Sequence, residues 1–165
     1  MKKISLILFF IILCSVSVSA QQLRVRVFSQ QKIKQTSFVP SFGRYSVEID
    51  GNLTRLSRTS NVKLSALNGK VEVRINDSVF ANSEKVTFKS EGIKSFFRLK
   101  PITPEIAERR YDDALEVSVN GNGNLLLINV VEQENYIAGV VQSETWGATK
   151  NIDFFKVQAI CCRNY

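Results

Sequence analysis

The C-terminal stretch VVQSETWGATKNIDFFKVQAICCRNY sets one carboxylate, Glu144, between a β-branched run and a helix that is apolar on most sides. A glutamate so placed is either a solvated surface residue or an acid whose surroundings tune it for proton transfer. Trp146 follows it closely, and the helix beyond carries Gln158, Arg163 and Tyr165. Arg163 on an apolar helix needs a partner, either an acid such as Glu144 or the carboxyl of a ligand. Gln158 suits the satisfaction of buried backbone groups. Trp146 reads equally as a sugar-stacking ring or as core. Glu132 and Glu134, further upstream, read as solvated. The chain contains no His. That removes any Ser/His/Asp triad, any Cys/His dyad and any His-based metal site from this segment.

The elements that must position these residues are legible in the patterning. LRVRVF (23–28) alternates apolar and basic residues. YSVEI (45–49) runs through Asp50-Gly51 into NLTRL, and VKLSAL (62–67) runs through Asn68-Gly69 into KVEVRI (70–75). Both dipeptides suit a type I′ turn, whose two central residues need positive φ. In KVEVRI, Val71, Val73 and Ile75 face one way and Glu72 and Arg74 the other, the mark of a half-buried strand. VTFKS (86–90) and FFRLKPI (96–102) are weaker strands. LEVSV and LLLINVV form a hairpin through NGNGN, the second strand apolar enough for burial on both faces. EQENYIAGVVQSE (132–144) suits a short helix with Tyr136, Ile137, Val140 and Val141 at helical spacing. DFFKVQAICCRNY suits a core helix with Asp153 as N-cap. Cys161 and Cys162 read as small buried residues. Tyr165 stands within that helical pattern without a closing Gly or Asn, so the sequence reads as the front part of a longer protein.

The expected fold is α+β: an antiparallel, hairpin-rich β module, then a hairpin packed on a buried C-terminal helix. Residues 1–20 have two lysines, an apolar run and a small-residue end, with Val18 and Ala20 at the cleavage positions. They read as a secretory signal, which implies export to the periplasm, envelope or medium with no stable membrane span after cleavage. A soft boundary near residue 104 separates a β-rich region, 21–104, from a core-domain start, 105–165. Charge changes sign there: 15 Lys/Arg stand against 6 Asp/Glu before it, and 5 against 9 after it. The two parts either pack on each other or present a basic face to an anionic polymer; ordinary solvated lysines are the plainer reading. In an exported protein such a polymer is wall material or a membrane surface rather than nucleic acid.

The pieces VSVNGNGNLLLINVV, ENYIAGVVQSE and KVQAICCRNY, in this order and spacing, carry a resemblance. From Arg109 to Tyr165 the sequence resembles the stage II sporulation protein D / amidase-enhancer domain, often called SpoIID/LytB. That resemblance implies peptidoglycan chemistry: lytic transglycosylase cleavage of glycan strands freed of stem peptides, with Glu144 as the acid. It sets Gln158, Arg163 and Tyr165 on the following helix, the last two close to that acid, and with Trp146 these are the expected substrate-binding residues. A single carboxylic acid suffices for this reaction. It protonates the leaving oxygen, then as carboxylate takes the proton of the sugar's C6 hydroxyl as that oxygen attacks the anomeric carbon, giving a 1,6-anhydro sugar. The acid must begin protonated near neutral pH, and desolvation by Val140, Val141, Trp146 and the apolar helix would favour that. The sequence departs from the family pattern at Thr145-Trp146, at Cys161-Cys162 and at Asn164. No cofactor and no metal ligand is assigned within this segment. The rival readings are a non-catalytic wall-binding module that enhances a partner amidase, and a structural module whose sheet edges bind a protein partner.

Overall fold

Two long strands organise the molecule. The computed structural model describes residues 21–145 and 151–164, apart from the side chain at position 93; the expected signal at 1–20, Trp146 and Tyr165 lie outside the described residues. Strands β2 (Gln35–Ile49) and β7 (Lys85–Thr103) pair antiparallel from Ile49↔Val86 to Gln35↔Thr103. Their register slips between Pro40 and Phe42 and again between Phe42 and Arg44. Such bulges bend a strand and sharpen its twist. Past the bend each long strand takes different neighbours. The first half of β2 pairs β4 (Val62–Leu67), and its second half pairs β3 (Asn52–Leu56). The first half of β7 pairs β9 (Ala114–Val119), and its second half pairs β8 (Arg109–Asp112).

Two wings of one ten-stranded sheet result, in the order β1-β10-β9-β7-β2-β4-β5-β6, with β3 on β2 and β8 on β7. The remaining strands are β1 (Gln22–Val27), β5 (Lys70–Ile75), β6 (Ser78–Ser83) and β10 (Leu125–Glu132). The wings close on each other. Phe38, from the first half of β2, stacks on Phe88, from the first half of β7, with ring centroids 4.0 Å apart. Their backbone partners are Leu99 and Val47, so the contact spans the wings rather than neighbouring strands. Phe97 stacks on Phe38 at 4.9 Å, and Tyr45 meets both rings edge-on. All four rings are fully buried, as are Val62, Leu64, Val71, Val73 and Leu115. Burying an aromatic or large aliphatic side chain contributes about 1.5–3 kcal/mol.

Both dipeptide turns take the expected conformation: φ is +49° and +81° at Asp50-Gly51, and +50° and +77° at Asn68-Gly69. A third turn of this kind, Asn76-Asp77 at +49° and +68°, joins β5 to β6 without a glycine. Asn and Asp are the residues that visit the left-handed region at least cost. The alternation in β5 holds, with Val71 and Val73 buried and Glu72 bonded to Arg74 at 2.9 Å. β10 differs from expectation, since it is buried on one face and only partly covered on the other.

The α+β class stands, an antiparallel sheet with two helices at its β1–β10 side. α1 (Gln133–Glu144) contacts β10 and β1 and buries Ile137 and Val141. α2 (Ile152–Arg163) packs on α1. Its N-cap is Asn151, whose side chain accepts from the Asp153 N–H; the expected cap, Asp153, lies in the first turn instead. The expected burial of α2 does not hold, for none of its residues is buried, and Ile152, Phe154, Val157 and Ile160 are exposed. Cys161 is likewise exposed and Cys162 only half-buried, both as free thiols. The reason is that ten strands already fill the core, and apolar periodicity marks a face without saying what covers it. No described helix is long and apolar enough to cross a membrane.

Strands on either side of residue 104 share this sheet, and charges cross the same point. Glu116 on β9 bridges Arg24 of β1, at 2.7 Å, and Lys85 of β7, at 2.9 Å. Arg98 pairs Glu108 in the same sense. The basic and acidic parts of the sequence thus neutralise each other in part.

Candidate functional site

The site is hung from Asp113. This residue follows β8 in the left-handed region, with φ +64°. Its N–H donates to Ser95 O at 2.9 Å, and its own carbonyl accepts the Tyr45 hydroxyl at 2.8 Å. Burial pushes the Tyr45 hydroxyl well above the usual phenol range, helped by the negative charge of Asp113 and Asp112, so it stays a donor. The Asp113 carboxylate then accepts the Glu132 N–H at 2.9 Å and the Asn135 amide at 3.2 Å. Glu132 is the N-cap of α1 and has no side-chain cap of its own, so Asp113 meets the helix start from outside the helix. A carboxylate there also favours the positive end of the helix dipole.

Asn129 reinforces the arrangement from β10. It is buried, and its amide donates to the carbonyls of Asp112 and Ala114, at 2.7 and 2.8 Å, on both sides of Asp113. A buried amide in an apolar strand costs free energy unless it is hydrogen-bonded, and here both donors are used. The strand LLLINVV displays this asparagine openly, whereas nothing in the local pattern marks Asp113.

From that anchor α1 runs to Glu144 and stops. Thr145 is buried and folds back, its hydroxyl and its N–H both donating to Val141 O, at 2.6 and 3.0 Å. Glu144 itself is exposed. The apolar niche expected around it is not built by the described residues, because Val141 turns into the core and Val140 is only half-buried. Trp146 lies outside them. What Glu144 does have is Gln158, whose Nε2 donates to Glu144 Oε2 at 2.5 Å. Gln158 therefore serves a side chain rather than the backbone groups expected for it.

Arg163 is placed differently. Its guanidinium pairs with Glu134 at 2.5 Å, in the first turn of α1, and not with Glu144 at the other end. The two polar contacts, Glu134 with Arg163 and Glu144 with Gln158, set the helices antiparallel. Glu134, which reads as solvated in the sequence, is the carboxylate that takes this cation.

Residues 121–165 match the SpoIID family model, stage II sporulation protein. The SpoIID match starts in the β9–β10 turn and takes in β10, both helices, Glu144, Gln158 and Arg163. It ties this C-terminal part of the chain to a sporulation- and cell-wall-related family. No curated protein and no solved structure matches the chain. Within the SpoIID segment Glu132, Glu134, Glu144 and Asp153 are all exposed carboxylates, and Glu144 is the one that an amide of the following helix holds, through Oε2. Among the described residues no group of three or more His, Cys, Asp or Glu side chains stands ready to hold a metal ion.

Proposed function

We propose that this chain belongs to an exported peptidoglycan-acting protein that cleaves glycan strands by the lytic transglycosylase reaction, with Glu144 as the single general acid/base. The observation that carries this reading is the Gln158–Glu144 hydrogen bond. It joins the family motif's acid to the following helix, as a side chain that must present one fixed carboxyl face to a ligand requires. Glu144 gives its proton to the glycosidic oxygen as the bond from that oxygen to the anomeric carbon breaks. The C6 hydroxyl of the same sugar attacks that carbon and returns its proton to Glu144, so no water is consumed. General acid–base help of this kind contributes about 10²–10⁴-fold. Arg163, Tyr165, Trp146 and Gln158 are substrate-binding candidates. In the fold described, Arg163 is paired with Glu134 through one guanidinium nitrogen and is about half exposed.

One observation favours a second reading. Glu144 is exposed among the described residues, which suits a wall-binding module that recruits or stimulates a partner amidase without cleaving glycan itself.

The test uses the mature protein and Glu144→Gln on purified glycan strands, with and without stem peptides, products read by mass spectrometry. Anhydro ends from the wild type alone support the transglycosylase, and Gln158→Ala then lowers the rate without abolishing it. Absence of anhydro ends from both proteins, with faster release of stem peptides by an added amidase, supports the enhancer instead.

A further inference from the structure

A cleft of about 360 Å³ opens where the bend of β2 and β7 meets β8 and the start of α1. Three flat groups from neighbouring strands form one wall. Phe42 lies parallel to Phe96, with centroids 5.4 Å apart and planes 10° apart, and the Arg110 guanidinium sits 3.7 Å over the Phe96 ring. Phe42 is half-exposed, so this wall includes an aromatic ring open to solvent. Lys94 adds a second cation, and Asp112 and Asn135 add polar groups to the lining.

The cleft is preorganised by close packing at the bend and by the Asp113 anchor that also positions α1. Gly43 (φ +80°) lies against Ser95 so closely that a Cβ there would sit 2.2 Å from Ser95 Oγ. Asp113 holds the cleft's lining to the core and to the start of α1 through Tyr45, Ser95 and Glu132. Ser95 is buried in the cleft wall, and its hydroxyl has no hydrogen-bond partner among the described residues. The one ion pair inside the cleft is loose. Arg110 and Asp112 meet at 3.4 Å with both side chains well exposed, so a ligand carboxylate can take the guanidinium at little cost.

We propose that this cleft binds an acidic saccharide, a sugar ring that carries a carboxylate. The open aromatic face takes the apolar face of the ring, Arg110 and Lys94 take the carboxylate, and Asp112 and Asn135 take hydroxyl or acylamino groups. The site is separate from Glu144. Asn135 and Glu144 stand at opposite ends of α1, about 14 Å apart at the helical rise of about 1.5 Å per residue. The proposal therefore does not depend on glycan cleavage.

Binding of end-labelled, peptide-free peptidoglycan strands is followed by fluorescence anisotropy on the full chain, beside strands whose carboxylates have been amidated. Phe42→Ala and Arg110→Gln weaken binding at least about tenfold, a loss ordinary for a stacked ring or a charge-assisted contact. Amidation weakens binding to the wild type alike. Both changed cleft residues are at the surface, and thermal melts confirm that the variants fold. Wild-type binding by both cleft variants, or equal binding of amidated strands, overturns the proposal. Production of anhydro ends is scored separately, so failure of the catalytic reading leaves this result legible.

Discussion

The hydroxyl of Tyr45 donates to the carbonyl of Asp113 at 2.8 Å, tying the aromatic core to the residue from which the first helix hangs. Through this one bond the bend of β2, the end of β8 and the N-terminus of α1 are held in a common frame. Glu144 inherits its position from it.

Asp113 should therefore be unusually sensitive. Asp113→Ala loses the contacts to Glu132 and Asn135 and keeps the positive φ, at which an alanine is disfavoured by about 1–2 kcal/mol. With a further loss of about 1 kcal/mol for the helix start, total destabilisation is about 2–3 kcal/mol in urea denaturation. Asp113→Gly relieves the backbone and is milder, while Asp113→Asn tolerates the conformation and is the mildest. An alanine variant as stable as the asparagine variant would remove Asp113 as the anchor.

The pH response centres on Glu116. The Arg24 guanidinium, then the Lys85 ammonium, holds its carboxyl down to about 2 from a usual 4.5. Because the folded value lies below the unfolded one, the stabilisation is complete above about pH 4.5 and is lost as the pH falls toward 2. Both cations are solvent-exposed, so screening reduces the contribution to roughly 1–2 kcal/mol. Glu116→Gln should melt below the wild type at pH 7 and converge on it by about pH 2–3. Parallel melting curves across that range would refute the assignment.

The bend makes its own prediction. Gly43→Ala puts a Cβ against Ser95 Oγ and forces an alanine to φ +80°, so it should destabilise by more than about 2 kcal/mol. Ser95→Gly in the same chain removes the collision with the Ser95 side chain and leaves the backbone penalty and a 2.9 Å contact with the Lys94 carbonyl. The double variant recovers part of the loss, which a double-mutant cycle on chemical denaturation measures. Purely additive effects would mean that the two residues do not meet.

The hairpin turns and the alternating strands were readable because Asp-Gly, Asn-Gly and period-two patterns report on local backbone and one buried face. The first half of β2 was not, since Pro40 and Gly43 interrupt QTSFVPSFGR where the strand bends. β6 was missed because its turn is Asn76-Asp77 rather than a glycine pair, and because SVFANS is an edge strand with Val79 and Phe80 exposed. The two strands expected at 86–90 and 96–102 are one, β7, a continuity that tertiary pairing creates and local pattern hides. At the site, residue types pointed to Glu144 and to the helix that meets it. Which carboxylate takes Arg163 depends on how two helices cross, and Asp113 acts through long-range contacts; neither leaves a local mark.

Because β2 and β7 belong to both wings, neither wing owns a complete set of backbone partners. Stripping β4 from one side of β2 leaves that strand with half its ladder, and the same loss reaches β9 through β7. Melting should accordingly spread across the whole sheet as a single cooperative event, with the amides of the two shared strands the last to exchange with solvent. A protein wired in this way has no internal hinge in its sheet, and its adaptable parts are left at the rims and in the helices.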